Sequence, residues 1–305
     1  MERVINAFVL GAGLGTRLRP LTERLPKPLI PICGKPLITF AFDGLLEAGI
    51  ERLVVNTHHR AEAFAAAFPE AKYGGAPITF RHEEVLLETG GGIKNVEDLL
   101  SGGPFVVYNG DILSDLPVDK AIQRHFAEGN EVTLVLRSAG GPLQVAFDGS
   151  SRRVTDIGGR LRPESGEFLF TGIYVVDPAF FARIPAGTKI SVVPIWMEMI
   201  REGARLGGIV LDEGEWWDLG TREQYQAVHQ RMAPGGWVDP AARIAAGARL
   251  TGATVIGAGA EVGQGAALHG CIVWEGAKSA SGSELERCIV TAGQEAGGAH
   301  TDVDF

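Results

Sequence analysis

The sequence has few cysteines, few basic residues and no long apolar run. Its 3 cysteines, an odd number without the paired spacing of metal ligands, indicate neither a disulfide framework nor a zinc site. No stretch approaches the roughly 18 apolar residues of a membrane-spanning helix. Lys and Arg number 28 against 37 Asp and Glu, and the net charge of -9 argues against a broad nucleic-acid or anionic-membrane surface. We therefore expect a reduced, cytoplasmic protein with no nucleic-acid and no membrane partner.

The rest of the composition is that of a folded globular protein. The chain has 305 residues, of which 45% are hydrophobic and 21% are charged, enough for two domains or for one large and one small domain. A small anionic ligand remains compatible with the acidic balance, because it needs only a local cluster of Arg, Lys and backbone N–H groups.

Up to about residue 236, short apolar runs alternate with longer stretches of helical spacing, which predicts an α/β three-layer sandwich with a mostly parallel sheet. The predicted strands are Val4–Leu10, Arg52–Asn56, Ile78–Arg81, Phe105–Tyr108, Glu131–Leu136, Phe168–Val176 and Leu206–Leu211. The predicted helices are Leu37–Ala48, Ala61–Phe68, Gly91–Leu100, Val118–Glu128, Val192–Glu202 and Thr221–Met232, and Gly11–Pro36 is predicted as a long loop.

A composition shift near Ala233 predicts a domain boundary between residues 1–235 and 236–305. Beyond it, apolar residues recur at a six-residue period, which is typical of a prism-like solenoid. Its stacked coils together bury the apolar side chains that a single coil would leave exposed. The inward positions of about three coils are predicted at Ile244, Leu250, Ile256, Val262, Leu268 and Trp274, with Ala280 continuing the register. Glu295–Phe305 reads as a Gly-rich, acidic tail of unassigned role.

A glycine-rich loop, GAGLGTRLRPLT at residues 11–22, directly follows the first predicted strand. Glycines let backbone N–H groups approach an anion closely, and Arg17 can fork onto phosphate oxygens. Lys27, in the PKPL run at residues 26–29, adds a second positive charge, and Arg19 is a weaker candidate. The spacing matches neither a dinucleotide-binding motif nor a Walker motif. The loop therefore indicates a site for a nucleoside triphosphate.

Two aspartates stand where an open α/β sheet binds ligands. Asp111 follows a buried strand, and Asp218 precedes a predicted helix near Thr221. Mg²⁺ takes one or two carboxylates together with phosphate oxygens and water. Asp111 and Asp218 are therefore the candidate metal ligands.

The motifs GAGLGTRLRPLT and PKPL closely resemble the signature of the sugar-1-phosphate nucleotidyltransferases. The resemblance extends through LETGGGI at 87–93, NGD at 109–111, FTGI at 170–173 and WDLGT at 217–221, and so covers most of residues 4–232. It implies a Rossmann-like three-layer α/β/α nucleotidyltransferase domain, followed by a short C-terminal left-handed parallel β-helix of hexapeptide repeats. LETGGGI is most similar to N-acetylmuramate-1-phosphate uridylyltransferases, whereas residues 13–22 and the solenoid also resemble mannose-1-phosphate guanylyltransferases.

The resemblance also implies substrates and residue roles. An NTP and a sugar 1-phosphate would react with Mg²⁺ bound at Asp111 and Asp218, and Arg17, Lys27 and Asp111 would be catalytic. Arg17 would hold the β- and γ-phosphates, and Lys27 the α-phosphate and the sugar phosphate. The nucleotide-binding set would be Leu10, Gly11, Ala12, Gly13, Gly15, Thr16, Arg17, Lys27, Thr89, Gly90 and Asn109. The sugar-binding set would be Gly110, Thr171, Gly172, Glu167 and Lys189. Leu86 stands where some relatives carry a base-reading glutamine.

Several residues that could carry chemistry are better explained by packing. We expect His58 and His59 to pack in a loop, at least one of Trp216 and Trp217 to belong to the core, and Cys33 to be a small buried filler.

Two other functions compete with catalysis of nucleotidyl transfer. A non-catalytic regulator that binds a nucleotide sugar would not need Arg17, Lys27, Asp111 and Asp218 together. An acyltransferase would need a longer solenoid than about three coils, and His269 is the sole histidine among the predicted repeats. We expect the solenoid to serve packing or homo-oligomer formation, because its end coil presents unpaired strand edges.

Overall fold

The computed structural model describes residues 3–163 and 166–305. The chain divides into two compact units, one formed by Met1–Gly13 and Ile38–Asp218, the other by Leu14–Leu37 and Leu219–Phe305. We call them the sheet unit and the solenoid unit, and we call Leu14–Leu37 the basic arm because it carries Arg17 and Lys27.

The strands, in chain order, are β1 (Asn6–Leu10), β2 (Pro31–Ile32), β3 (Lys35–Pro36), β4 (Arg52–Thr57), β5 (Lys72–Tyr73), β6 (Ala76–His82), β7 (Phe105–Asn109), β8 (Ile112–Ser114), β9 (Val132–Arg137), β10 (Val145–Asp148), β11 (Arg153–Ile157), β12 (Leu169–Val176), β13 (Leu206–Val210), β14 (Trp216–Asp218), β15 (Trp237–Val238), β16 (Arg243–Ile244), β17 (Arg249–Thr251), β18 (Val255–Ile256), β19 (Glu261–Val262), β20 (Ala267–His269), β21 (Ile272–Val273), β22 (Lys278–Ser279), β23 (Glu284–Glu286), β24 (Ile289–Val290), β25 (Glu295–Ala296) and β26 (Ala299–Thr301). The α-helices are α1 (Leu21–Arg24), α2 (Ile38–Glu47), α3 (Ala61–Ala67), α4 (Glu88–Lys94), α5 (Glu97–Leu100), α6 (Val118–Glu128), α7 (Val192–Glu202) and α8 (Arg222–Met232).

The sheet unit is built on a 10-stranded sheet in the order β10-β11-β13-β9-β12-β7-β1-β4-β6-β5. β1, β4, β6 and β7 are parallel, as are β9 and β13, whereas β12 runs antiparallel between β7 and β9. The central strands are buried on both faces, so they read as continuous apolar runs, as expected when helices cover a sheet on both sides. The predicted α/β fold with a mostly parallel sheet is confirmed.

The predicted strands and helices match the observed ones closely, but the prediction lacks strands β5, β8, β10, β11 and β14 of the sheet unit. α6 and α7 have the predicted bounds. The single helix predicted at Gly91–Leu100 is wrong: α4 begins at Glu88, and a second helix, α5, follows it. The predicted loop Gly11–Pro36 also contains short elements, including α1 and the β2–β3 hairpin.

The solenoid unit contains three 4-stranded parallel sheets, β15-β18-β21-β24, β16-β19-β22-β25 and β17-β20-β23-β26. This arrangement is that of the predicted left-handed parallel β-helix. The inward register is confirmed from Ile256 to Leu268 and then slips by one residue: Val273, and not Trp274, enters the solenoid core. In the next sheet Ser279 takes the place predicted for Ala280. The coil from Ile256 to Val273 is one residue shorter than three strict six-residue repeats, so Trp274 leaves the inward row.

The predicted acidic tail belongs to a fourth coil. β25 and β26 extend two of the solenoid sheets, and Val303 and Phe305 pack against the solenoid core. The expectations of about three coils and of a separate tail are therefore wrong, because Ala296 is an inward residue that the Gly-rich context conceals.

No helix within residues 3–163 and 166–305 is both long enough and apolar enough to cross a membrane.

Two buried histidines predict how stability changes with pH. Burial lowers the pKa of His125 and of His229 to about 4, below the ordinary value of 6.5. The unfolded chain therefore binds protons at both side chains below about pH 6.5, while the folded chain stays neutral there. We expect the free energy of unfolding to fall between pH 6.5 and 5 by up to about 1.4 kcal/mol per pH unit for each histidine.

Urea unfolding midpoints of the wild type, His125→Gln and His229→Gln at several pH values measure this effect. Each variant removes one of the two proton-binding sites, so its midpoint should depend less steeply on pH. A slope that neither substitution changes would contradict the assignment.

Candidate functional site

Three neighbouring parallel strands end in the same row. Leu10, the last residue of β1, is paired with Asn56 of β4 on one side and with Asn109 of β7 on the other. Just beyond the row, the backbone N–H of Gly110 donates to the carbonyl of Leu10 at 2.9 Å. The glycine loop and the NGD motif are thus side by side at the carboxyl edge of the sheet, where open α/β folds bind their ligands.

Asn56 holds the start of the glycine loop. Its Oδ1 accepts from the backbone N–H of Gly11 at 2.8 Å and of Ala12 at 3.4 Å. Its Nδ2 donates to Glu83 Oε1 at 2.8 Å, and Glu83 Oε2 accepts from the N–H of Leu87 at 3.0 Å. Asn56 and Glu83 are both only 2% exposed. A buried polar path therefore links the glycine loop to the LETGGGI segment.

The glycines of LETGGGI are required by close packing. The N–H groups of Gly90 and Gly91 donate to the carbonyl of Ile190 at 2.9 and 3.0 Å. A Cβ at Gly91 would lie 2.5 Å from the carbonyl oxygen of Thr188, and one at Gly92 would lie 3.1 Å from both Asn56 Nδ2 and Glu83 Oε1. Thr89 Oγ1 accepts from the N–H of Val192 at 2.9 Å.

The predicted sugar-binding residue Gly172 lies against Asn109. It adopts a φ of +85°, and a Cβ there would lie 2.6 Å from Asn109 Nδ2, so only glycine fits. Thr171 is 1% exposed, and its hydroxyl donates to the carbonyl of Val135 at 2.8 Å. Its own carbonyl accepts from Trp216 Nε1 at 2.8 Å. The pairing of β12 with β9 shifts in register between Phe170 and Tyr174. Thr171 thereby fixes the backbone at this shift, where Gly172 lies.

Strand pairing brings the two candidate metal ligands to one place. β14 pairs antiparallel with β8, with Asp218 opposite Ile112. Asp111 is the residue before Ile112, so the backbones of the two aspartates are close to each other in this pairing. Both residues are half-buried. Among the described residues no group of three or more His, Cys, Asp or Glu side chains is placed to hold a metal ion, and Mg²⁺ ordinarily takes one or two carboxylates from a protein.

The basic arm holds Lys27 in a buried turn. Lys27 is 4% exposed and begins a 3-10 helix, Lys27–Leu29. Gly15 adopts a φ of +58°, and a Cβ there would lie 2.7 Å from Thr22 Cγ2 and 3.3 Å from Lys27 Cβ. Thr22 Oγ1 donates to the carbonyl of Gly15 at 2.9 Å. Only glycine lets this loop fold down onto the stem of Lys27.

Arg17 is exposed and lies over a second glycine of the solenoid unit. A Cβ at Gly220 would lie 2.6 Å from Arg17 Nη1, so the guanidinium is in contact with that backbone. Gly220 precedes α8, which begins with a capping box between Thr221 and Gln224. Thr16 is also exposed, in the 3-10 helix that contains Arg17.

Two of the predicted sugar-binding residues, Glu167 and Lys189, are exposed. Lys189 Nζ is 3.9 Å from Glu88 Oε1, beside Thr89. The backbone N–H of Glu167 donates to the carbonyl of Val145. Nothing in these contacts tests their role, which stays a prediction.

The structure also bears on the packing interpretations. His58 Nδ1 donates to the carbonyl of Glu83 at 2.7 Å, and the packing role of His58 and His59 stays a prediction. Cys33 is only half-buried, so the expectation of a buried filler is wrong, although burial raises the pKa of its thiol to about 11. Trp216 and Trp217 are both half-buried, so the expectation that at least one belongs to the core is also wrong. Trp217 Nε1 donates to Glu215.

Sequence reasoning missed Asn56 and Glu83. Asn56 lies next to the last residue of β4, which pairs directly with the strand before the glycine loop, and this position is the signal that could have identified it. Glu83 has no such signal, because a charged residue after a strand is ordinarily exposed.

The sheet unit thus has a glycine loop after the first parallel strand and two aspartates beside the neighbouring strand end, an arrangement typical of α/β enzymes that bind phosphate groups. The family model for nucleotidyl transferases matches residues 6–234. The chain therefore belongs to the nucleotidyl transferase family.

Two relatives illustrate its range. The chain is 32% identical over 289 residues to a mannose-1-phosphate guanylyltransferase of Mycobacterium tuberculosis, covering 89% of this chain and 80% of that protein. It is 34% identical over 238 residues to an N-acetylmuramate alpha-1-phosphate uridylyltransferase of Caulobacter vibrioides, covering 74% of this chain and 96% of that protein.

The fold is also found in a solved structure. HddC from Yersinia pseudotuberculosis superimposes with a TM-score of 0.63 at 20% identity, covering 75% of this chain and 100% of that chain. At that identity the likeness shows the fold alone.

The Asn56 path predicts a loss of nucleotide binding when it is cut. Asn56→Ala removes the acceptor for Gly11 and the side-chain donor to the buried Glu83, so we expect a loss of roughly 3 kcal/mol in stability. We also expect a smaller rise in melting temperature on addition of UTP or GTP with Mg²⁺, measured by differential scanning fluorimetry.

Asn6→Ala is the matched control. Asn6 is also buried and accepts from Arg52 Nε at 2.8 Å, but it lies at the opposite end of β1. It should lose stability and keep the shift caused by nucleotide. An equal loss of that shift in both variants would contradict the assignment.

Proposed function

We propose that this chain makes an NDP-sugar and pyrophosphate from an NTP and a sugar 1-phosphate, with UTP and an N-acetylmuramate-type or other hexose 1-phosphate as the substrate pair. In this reaction a phosphate oxygen of the sugar 1-phosphate attacks the α-phosphorus of the NTP. The bond from the α-phosphorus to the bridging oxygen breaks, and pyrophosphate leaves.

One observation carries the proposal. The pairing of β14 with β8 sets Asp218 opposite Ile112, beside Asp111, and Gly110 next to Asp111 is hydrogen-bonded to Leu10 at the start of the glycine loop. A carboxylate pair thus adjoins a loop of backbone N–H groups at one sheet edge. This combination suits a triphosphate that binds together with a divalent cation.

The basic arm supplies positive charge to this chemistry. Phosphoryl transfer depends mainly on positioning and on neutralising charge that develops on the phosphate oxygens. Arg17 holds the β- and γ-phosphates that leave as pyrophosphate, since a guanidinium can bind phosphate oxygens through two hydrogen bonds. Lys27 steadies the α-phosphate and the incoming sugar phosphate, and burial of its stem keeps the ammonium in one place.

Asp111 and Asp218 would hold Mg²⁺. The fit rests on two half-buried aspartates with neighbouring backbones, a hard oxygen donor set that leaves the remaining ligand positions to phosphate and water. When bound, the cation supplies neutralisation of phosphate charge.

The remaining residues orient the two substrates. Leu10, Gly11, Ala12 and Gly90 approach the base, with Gly13, Gly15, Thr16, Thr89 and Asn109 completing the nucleotide site. Gly110, Thr171, Gly172, Glu167 and Lys189 form the sugar site. The contact of Gly172 with Asn109 supports a common boundary between the two sites.

GTP with mannose 1-phosphate is the second candidate pair. The match to the mannose-1-phosphate guanylyltransferase covers 89% of the chain and so extends into the solenoid, whereas the uridylyltransferase is matched over 96% of its length by 74% of this chain. Leu86, in place of a base-reading glutamine, also leaves the base open. A non-catalytic regulator remains the third candidate.

Pyrophosphate release with Mg²⁺ tests all three. UTP, GTP, CTP, ATP and dTTP are each assayed with the 1-phosphates of N-acetylmuramate, mannose, glucose and N-acetylglucosamine. Turnover with one UTP pair supports the leading assignment, and a preference for GTP with mannose 1-phosphate replaces it. If no substrate pair gives pyrophosphate release, although the protein is folded and binds a nucleotide sugar, the result favours the regulator.

Asp111→Ala should lower turnover by at least about a hundredfold, because a carboxylate of the metal site is lost. Asp119→Ala is the matched control, since Asp119 lies in the first turn of α6 and is exposed. Equal turnover in the two variants would overturn the role of Asp111, and chelation with EDTA should stop the wild-type reaction.

A homo-oligomer in a reducing cytoplasm completes the proposal. All three cysteines are free thiols, which suits that compartment. β15, β16 and β17 are the edge strands of the three solenoid sheets, and Val238 and Ile244 on them are exposed. Edge strands of this kind favour association. Light scattering at micromolar concentration should give a multiple of 32.4 kDa, and a monomer would contradict the oligomer.

A further inference from the structure

Two hydrogen bonds join the third coil of the solenoid to the basic arm through one tyrosine. Trp274 Nε1 donates to Tyr225 Oη at 3.1 Å, and Tyr225 Oη donates to the carbonyl of Pro31 at 2.7 Å. Trp274 is 2% exposed and Tyr225 is fully buried. The hydroxyl thus uses its proton and a lone pair at once, and solvent cannot replace either partner.

His229, one turn along α8, makes a second connection. Its Nδ1 lies 2.8 Å from the carbonyl of Tyr225, which can only accept, so Nδ1 carries the proton. Nε2 then accepts from the backbone N–H of Cys33 at 3.3 Å. Because burial keeps the pKa of His229 near 4, this single protonation state persists at neutral pH.

The first coil contacts the same hairpin directly. A Cβ at Gly34 would lie 2.4 Å from Cη2 of Trp237, so the indole ring rests on the backbone of the β2–β3 turn. Gly34 also has a φ of +79°. Pro31, Cys33 and Gly34 are therefore held from the solenoid side at three points.

The hairpin is in turn bonded to the turn that carries Lys27. The N–H of Leu37, just after the hairpin, donates to the carbonyl of Ile30 at 3.0 Å, and the N–H of Ile30 donates to the carbonyl of Lys27 at 3.2 Å. Lys27 Cβ lies under Gly15. A displacement of the hairpin would be transmitted to Lys27 through consecutive backbone bonds.

The register slip of the solenoid makes this connection available. Because Val273 takes the inward place, Trp274 lies outside the solenoid core and its indole is directed to Tyr225. On the same sheet, Val255, Ile272 and Ile289 lie outside that core and are nevertheless buried. Arg222 and Gln226 of α8 both donate to the carbonyl of Arg287 at 2.6 Å, which attaches the helix to this side of the solenoid.

We propose that the β-helix is a positioning element for nucleotidyl transfer: Trp274, acting through Tyr225, fixes the backbone at Pro31 and thereby the place of Lys27. Tyr225 and Trp274 are positioning residues in this scheme. The inference rests on the phosphate-binding role proposed above for Lys27.

The test uses the full-length variants Trp274→Phe and Tyr225→Phe and the double variant. Each single change should lower kcat/KM for the NTP by about fivefold, because the loss of one hydrogen bond ordinarily changes an equilibrium constant by about that factor. Both residues act on one path, so the double variant should be no worse than Tyr225→Phe alone. Losses that multiply in the double variant would overturn the proposal.

Amide hydrogen exchange supplies a readout that does not require activity. Trp274→Phe and Tyr225→Phe should each speed amide exchange in residues 14–37 and leave exchange in β7 and β8 unchanged. Leu285→Val is the control, because Leu285 lies in the solenoid core and its truncation loosens packing there without removing a bond of the path. It should lower the melting temperature and leave exchange in the arm as in the wild type.

The outcomes separate the two proposals. Unchanged exchange in Trp274→Phe, or the same change in Leu285→Val, overturns the positioning role. A wild-type protein without turnover, whose arm nevertheless loosens in Trp274→Phe and not in the control, overturns nucleotidyl transfer and retains the coupling.

Discussion

The side-chain amide of Asn56 is the contact on which the candidate nucleotide site depends. One oxygen holds two N–H groups of the glycine loop, and the nitrogen of the same side chain reaches the buried carboxylate of Glu83. A buried carboxylate is costly unless its lone pairs are satisfied, so Glu83 requires both Asn56 and the backbone at Leu87. The loop after β1 and the segment before α4 are consequently parts of one hydrogen-bonded group.

The glycines of this site serve two different physical needs. Gly15 and Gly172 have positive φ values and also admit a neighbouring side chain, so both conformation and space exclude a Cβ. Gly91 instead permits the close approach of the backbone at Thr188. Glycines of the LETGGGI motif therefore serve the packing of α4 against the segment before α7, whereas Gly15 of the glycine loop serves a turn.

Local patterns were sufficient to predict most of the sheet unit, because its central strands are continuous apolar runs and its helices have regular spacing. They also led to Asp111 and Asp218, although the β8–β14 pairing that brings these together is a long-range contact that no local pattern reveals. Asn56 was missed although it lies near the end of a strand beside β1, and Glu83 was missed because a charged residue after a strand is ordinarily exposed. In the solenoid, counting in steps of six residues reaches Trp274, which is apolar and so fits the inward pattern. The preceding coil has one residue fewer, and Val273 is the inward residue.

That shortened coil restricts how the solenoid can vary in length. Trp237 of the first coil contacts Gly34 of the arm, and Trp274 of the third coil contacts Tyr225 of α8. The distance between the two tryptophans along the solenoid axis must therefore match the distance between Gly34 and Tyr225. An extra coil inserted between the two tryptophans would shift Trp274 by one strand spacing, about 4.8 Å, beyond the reach of a hydrogen bond. Coils added after β26 would leave both contacts in place. Added coils are therefore compatible with both contacts after β26 and incompatible with them between Trp237 and Trp274.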